Sequence, residues 1–226
     1  MKEKYNLLAK VLQKLQNEEV LDNFILTGSW CNYYYHILFK KAPEVPLIRT
    51  TDIDFLIPNP LKATKDVNVA SILNEIGFDN DFDYGSGLVK YVHPDLEIQF
   101  LTPMLGRGKV TPYEIKKLNI NAEGLRYLKP LQDFKFKMKH DGITIWLPEP
   151  EVFVLQKILI SQKRKDTAKS EKDLLTAKNI GELCLRDSKR RRRLKEIYQI
   201  FPVKWQKTIL NISEGISTEL FNYLSI

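Results

Sequence analysis

The hydropathy pattern changes character at Pro148 and Pro150, and that change limits the architectures open to the chain. Beyond it, Val152–Gln162, Lys169–Leu185, Leu194–Ile200 and Trp205–Leu224 carry apolar residues at helical spacing, and Pro202 separates the last two. Before it, helical and β-leaning runs alternate. Tyr5, Leu7, Leu8, Val11, Leu12 and Leu15 mark a helix over 4–20. Phe24–Thr27 reads as a short strand, and Trp30–Phe39 as a helix capped by Ser29. Thr50–Ile57 reads as a strand stopped by Pro58 and Pro60. Val67–Ile76 is a helix ending at Gly77, and Asp79–Gly87 a turn-rich acidic stretch. Leu88–Val92 and Leu96–Leu101 read as strands. Phe134, Phe136 and Met138 alternate, as do Ile143, Ile145 and Leu147, and Asp141-Gly142 between the runs signals a hairpin. Pro43, Pro46 and Gly106-Arg107-Gly108 mark loops. The expected fold is α+β: a small mixed sheet flanked by helices over 1–148, with a helical domain over 149–226 packed on it.

Charge follows the same division. The 226 residues carry 35 Lys/Arg and 28 Asp/Glu, a formal net charge of +7. Residues 1–149 hold 19 of each sign, whereas residues 150–226 hold 16 basic and 9 acidic side chains, so the second part carries the whole excess. Such asymmetry points to an anionic partner. Its densest piece is Lys189, Arg190, Arg191, Arg192 and Arg193. One reading is a solvated helix face, the other a patch that neutralises RNA or DNA phosphates. Five consecutive residues wrap more than a helix turn, so they cannot all face one groove. The two cysteines, Cys31 and Cys184, have no metal-ligand spacing or His-rich company, and the apolar runs are too short to span a bilayer. The charged opening Met1-Lys-Glu-Lys is unlike a secretory signal. These features suggest a reduced, soluble, cytoplasmic protein.

The segment richest in chemistry is Thr51-Asp52-Ile53-Asp54-Phe55-Leu56-Ile57. On a strand, Asp52 and Asp54 project from one face while Ile53 and Phe55 enter a core on the other. Neighbouring carboxylates repel unless a cation lies between them, and oxygen donors suit Mg²⁺ or Mn²⁺. The plainer alternative is two solvated acids at a strand end. Gly28-Ser29, between a strand and a helix, places backbone N–H groups where phosphate binds, or else forms only a tight turn and a cap. A phosphate cradle with a carboxylate pair describes metal-assisted phosphoryl or nucleotidyl transfer. Lys157 lies among Leu155, Ile158 and Leu159, on a helix that reads as largely buried, where a lysine tends to be paired or functional. Asp173 could orient Lys157 or Arg164, or pair with Lys169 at i, i+4 spacing. His36, His93 and His140 are too scattered for a histidine metal set or a serine triad, and Gly85-Ser86-Gly87 lacks a Walker A ending.

Gly28-Ser29 followed by Asp52-Ile53-Asp54 between apolar neighbours resembles the signature of the DNA polymerase β-like nucleotidyltransferases. Within that superfamily the chain looks most similar to bacterial AbiEii-related proteins, through Leu155–Leu159, Arg164 and Lys172-Asp173-Leu174-Leu175. The resemblance covers roughly residues 24–180. It implies a small mixed sheet, two Mg²⁺ ions and transfer of a nucleoside monophosphate from an NTP. It also implies that Asp52 and Asp54 ligate metal, that Gly28 and Ser29 seat the phosphates, and that Lys157, with Arg164 and Asp173, contacts the nucleotide. Ser29 and Asp52 stand farther apart than in the compact form of the motif. The resemblance further implies a third acid just before the Phe100-Leu101-Thr102-Pro103 stretch, where this chain has Gln99. Glu97 lies two residues earlier on the same strand face. Either Glu97 replaces the missing acid, as metal ligand or general base, or the site has lost its base and only binds nucleotide. The leading expectation is a metal-dependent nucleotidyltransferase with RNA or tRNA as the favoured acceptor. The alternative is an inactive nucleotide- or RNA-binding module on the same fold.

Overall fold

The computed structural model describes residues 2–45, 50–63, 65–104, 106 and 111–226. The loop expectations at Pro46 and at Arg107-Gly108 lie outside the described residues. Contacts within the chain group it into two units, Met1–Cys31 with Ile48–Pro148, and Asn32–Leu47 with Glu149–Ile226.

The first unit is a mixed sheet with flanking helices, as the alternating pattern anticipates. Its strands are β1 (Ile25–Thr27), β2 (Asp52–Leu56), β3 (Asp79–Phe82), β4 (Val89–Val92), β5 (Glu97–Pro103), β6 (Tyr113–Ile115), β7 (Ile120–Leu125), β8 (Lys135–His140) and β9 (Ile143–Pro148). They run in the order β3-β4-β5-β2-β1-β9-β8. Strand β2 is antiparallel to β1 and parallel to β5. It occupies one edge of β5 from Glu97 to Leu101. The opposite edge is shared, by β4 at Ile98 and Glu97 and by β7 from Leu101 to Pro103, with β6 paired beyond β7.

Alternation on β2 and β5 sorts the side chains. Ile53, Phe55, Ile98 and Phe100 are fully buried. The Phe24 ring lies 5.4 Å from those of both Phe55 and Phe100, and Tyr91 meets Phe100 edge-on at 5.7 Å. Burial pushes the Tyr91 phenol up to about 12. The N-terminal helix α1 (Lys2–Asn17) buries Leu8, Val11, Leu12 and Leu15, the stripe its spacing predicts. Helices α3 (Val69–Asn74), capped by the Asn68 side chain, and α4 (Lys129–Asp133) complete the unit.

In the second unit, α5 (Pro150–Ser161) begins with proline at its first position, where no N–H is needed. It packs with α6 (Thr167–Arg186), and α7 (Ser188–Ile200), α8 (Val203–Ile216) and α9 (Thr218–Ser225) follow. The Tyr35 ring of α2 (Cys31–Leu38) meets Phe153 edge-on at 5.3 Å, so this helix, from Asn32 on, shares that core. No helix among the described residues is long and apolar enough to cross a membrane.

Three local expectations are corrected, and two strands are added for which the sequence pattern gave no expectation. Asp79–Phe82 is a strand at the sheet edge, and its four exposed residues carry no alternation to reveal it. Strands β6 and β7 were not anticipated, because Asn121, Glu123 and Gly124 break the apolar pattern of β7. The apolar run over Trp205–Leu224 divides at Ser217, which is extended and whose hydroxyl accepts from the Leu220 N–H. Ser29 lies inside a 3-10 turn, Gly28–Trp30, and α2 starts at Cys31, whose N–H reaches the Gly28 and Ser29 carbonyls.

The Asp141-Gly142 hairpin behaves as its sequence predicts. Both residues have positive φ, 48° and 78°, the backbone of a two-residue turn matched to strand twist. No atom lies within 4 Å of where a Gly142 Cβ would sit, so only backbone conformation opposes a side chain there. Gly142→Ala should therefore lower the unfolding free energy by about 1 kcal/mol, read as a lower urea midpoint at unchanged slope.

Candidate active site

Strand register brings the chemistry-bearing residues of the first unit onto one face. Thr27 pairs with Asp54, Asp52 with Glu97 and Asp54 with Gln99. Val92 pairs with Glu97, so Lys90, two residues away on β4, shares the face, and Asp81 is its partner on β3. The result is a row of carboxylates with one ammonium among them, directly above the aromatic core.

Asp54 is the centre of this row. Gln99 donates its side-chain amide N–H to Asp54 Oδ1. The other oxygen lies against Gly28, where a Cβ would fall 1.9 Å from Asp54 Oδ2. Gly28 also has φ +68°. Two independent conditions, a left-handed backbone and a carboxylate over the Cα, thus require glycine here. The pairing of Thr27 with Asp54 is what brings the Gly-Ser turn to the Asp-x-Asp strand despite their long separation in sequence. Asp52 is exposed, accepts from the Thr51 hydroxyl at 2.8 Å and donates its backbone N–H to Thr50 Oγ1 at 3.3 Å.

Glu97 is engaged differently. Lys90 Nζ donates to Glu97 Oε1 at 2.6 Å, with both side chains about one-third exposed (35% and 30%). The hydrogen bond to Glu97, with the further pull of the Asp52 and Asp81 charges, holds the Lys90 ammonium above the usual lysine range. Lys90 was not among the sequence candidates. The signal was available: alternation from Val92 places it on the site face if the two strands around His93-Pro94-Asp95 form a hairpin.

No group of three or more His, Cys, Asp or Glu side chains among the described residues is arranged to hold a metal ion. The donor set present is smaller. Asp52 and Asp54 offer two carboxylates on one strand face, which suits one Mg²⁺ or Mn²⁺ that keeps several waters and takes the rest of its ligands from substrate phosphate. In that sense the residues fit a single cation.

The second unit gathers another sequence-predicted set. Lys157 and Asp173 are buried (7% and 3% exposed), with Lys157 Nζ 2.6 Å from Asp173 Oδ1. Arg164 Nε reaches Asp173 Oδ2 at 2.9 Å. Asp173 thus turns to both α5-side cations rather than to Lys169, and the Lys157 ammonium also lies 5.2 Å from the Phe153 ring centre.

The basic run divides between inward and outward positions. Arg190 pairs with the buried Glu151 at 3.0 Å, and Arg193 grips both oxygens of Glu149 at 2.7 and 2.9 Å. Burial pushes the Glu151 carboxyl up, opposed by the Arg190 charge. Lys189, Arg191 and Arg192 are exposed, and Arg192 lies 3.6 Å from Glu196. Two of the five cations are therefore committed to the start of α5.

A family model described as a nucleotidyltransferase matches residues 6–200. Among solved structures, the chain is similar to an antigenic nucleotidyltransferase-like protein from Paracoccidioides brasiliensis, at 15% identity and a TM-score of 0.54, covering 100% of this chain and 93% of that one. It also matches the antibiotic-resistance factor ANT(2'')-Ia at 10% identity and a TM-score of 0.45, covering 99% and 89%. No curated protein matches the sequence.

Two substitutions test the local geometry. Gly28→Ala should displace the Asp54 carboxylate and cost about 2–3 kcal/mol of stability, measured by urea unfolding. Asp173→Asn should cost about 3–5 kcal/mol in the same measurement, because it leaves the buried Lys157 ammonium without its carboxylate.

Proposed function

Since the chain belongs to this nucleotidyltransferase family, we propose that it moves a nucleoside monophosphate from an NTP to an acceptor hydroxyl, breaking the α–β phosphoanhydride bond and releasing pyrophosphate, on the face that carries Asp52 and Asp54. The observation that carries the reading is the contact between Gly28 and the Asp54 carboxylate, which joins a phosphate-type turn to a cation-type acid pair. Asp52 and Asp54 hold the divalent cation, Mg²⁺ or Mn²⁺. When bound, that ion neutralises phosphate oxygens and makes the α-phosphorus easier to attack. Gly28 and Ser29 seat the β- and γ-phosphates on backbone N–H groups at the start of the helical segment. Glu97 is the third acid. Lys90 engages its Oε1, and its Oε2 takes the proton of the acceptor hydroxyl.

Within the second unit, Asp173 fixes Lys157 and Arg164, and we assign these three the part that the family resemblance implies, neutralising nucleotide phosphate. The same residues support a closer kinship with AbiEii-related proteins. The excess positive charge of residues 150–226 favours RNA, including tRNA, as the acceptor, met by the exposed Lys189, Arg191 and Arg192.

A second reading has one observation in its favour. Gln99 stands beside Asp54 where the family resemblance implies an acid, as in a module that binds nucleotide without turning it over. A transfer assay with the four α-labelled NTPs, Mg²⁺ or Mn²⁺, and cellular RNA and protein as acceptors separates the two. Transfer should appear with the wild-type chain, vanish in Asp52→Asn/Asp54→Asn, and fall about 10²–10⁴-fold in Glu97→Gln with NTP affinity retained. NTP binding without any transfer would establish the binding module instead.

A further inference from the structure

We infer that this acidic face takes a single divalent cation, and that Lys90 supplies the second positive charge there as a fixed ammonium. The inference rests on the reading of Asp52 and Asp54 as cation ligands. Sites of two cations about 3.5–4 Å apart need carboxylates enough to hold both ions. On this face, the two β5 positions beside Asp52 and Asp54 are Glu97 and Gln99.

Neither offers a second cation a free carboxylate. Gln99 presents an N–H donor to Asp54, and an amide N–H does not ligate a cation. A neutral amide also adds no negative charge to offset a second ion. Glu97 is negative, but its Oε1 already carries the Lys90 ammonium at 2.6 Å. A divalent ion at Glu97 would stand within a few ångströms of that ammonium, on a face only partly screened by water.

Lys90 is placed there by the fold. Strands β4 and β5 are antiparallel with Val92 opposite Glu97, so Lys90 projects from the site face one alternation away and reaches back along it. Lys90 is thus a positioning residue. It offsets the Glu97 charge and occupies one oxygen of that carboxylate, the part an ion would play in a two-cation site.

Electron paramagnetic resonance of Mn²⁺ tests this without depending on turnover. Mn²⁺ is titrated into the full chain with an equimolar non-hydrolysable NTP analogue, and the analogue alone is titrated as the reference. The wild-type chain should bind one Mn²⁺ more tightly than the analogue alone does, with the spectrum of an isolated ion. Gln99→Asp, which supplies a carboxylate beside Asp54, should admit a second Mn²⁺ and bring the broadened spectrum of a coupled pair. Lys90→Met, which frees Glu97, should do the same. A coupled pair in the wild-type chain would overturn the inference while leaving Asp52 and Asp54 as ligands. One ion in the wild type, with neither variant gaining another, would overturn the parts given to Gln99 and Lys90. Binding no tighter than the analogue alone would overturn the reading of Asp52 and Asp54 together with this inference.

Discussion

A carboxylate resting on a glycine Cα is the constraint from which the first unit can be understood. Asp54 and Gly28 approach so closely that no side chain fits between them. That approach is possible because Thr27 and Asp54 pair across an antiparallel ladder, which sets the following glycine directly under the acid. The aromatic layer of Phe24, Phe55 and Phe100 on the other face anchors the same strands. A polar column is thus held by an apolar one, each enforced by the period-two alternation of the strands.

The sequence was legible where pattern and chemistry coincide. Apolar residues between acids on β2, the stripe of α1, the Asp-Gly turn and the helices after Pro150 each follow from local spacing. Edge strand β3 was hidden because none of its residues is buried, and hydrophobic alternation exists only where one face meets a core. Strands β6 and β7 were hidden for a related reason, since polar residues interrupt β7. In the site, the acids were readable by type. The partners that decide their use were harder to read: Gln99 meets Asp54 across 45 residues of sequence, where register is a property of the folded sheet, and Lys90 meets Glu97 across seven, legible only once β4 and β5 are taken as a hairpin. Lys90 on Glu97 and Gln99 on Asp54 are both matters of register.

The basic run teaches a second limit of composition. Net charge identifies an excess but not its destination. Arg190 and Arg193 face Glu151 and Glu149 at the start of α5, and the Arg190 guanidinium also lies over the Phe39 ring. The field felt by an approaching anion comes from the remaining exposed cations, a smaller set than the sequence suggests.

The pairing of β1 bears on how the chain acquires its shape as it is made. Ile25 near the start lies parallel to Trp146, more than a hundred residues later. The glycine turn and its neighbouring acids can meet through β2 early in synthesis. Strand β1 keeps an open flank until the last hairpin emerges. During translation this segment therefore waits as a half-built edge, open to chaperones or to mispairing, until residue 148 clears the ribosome.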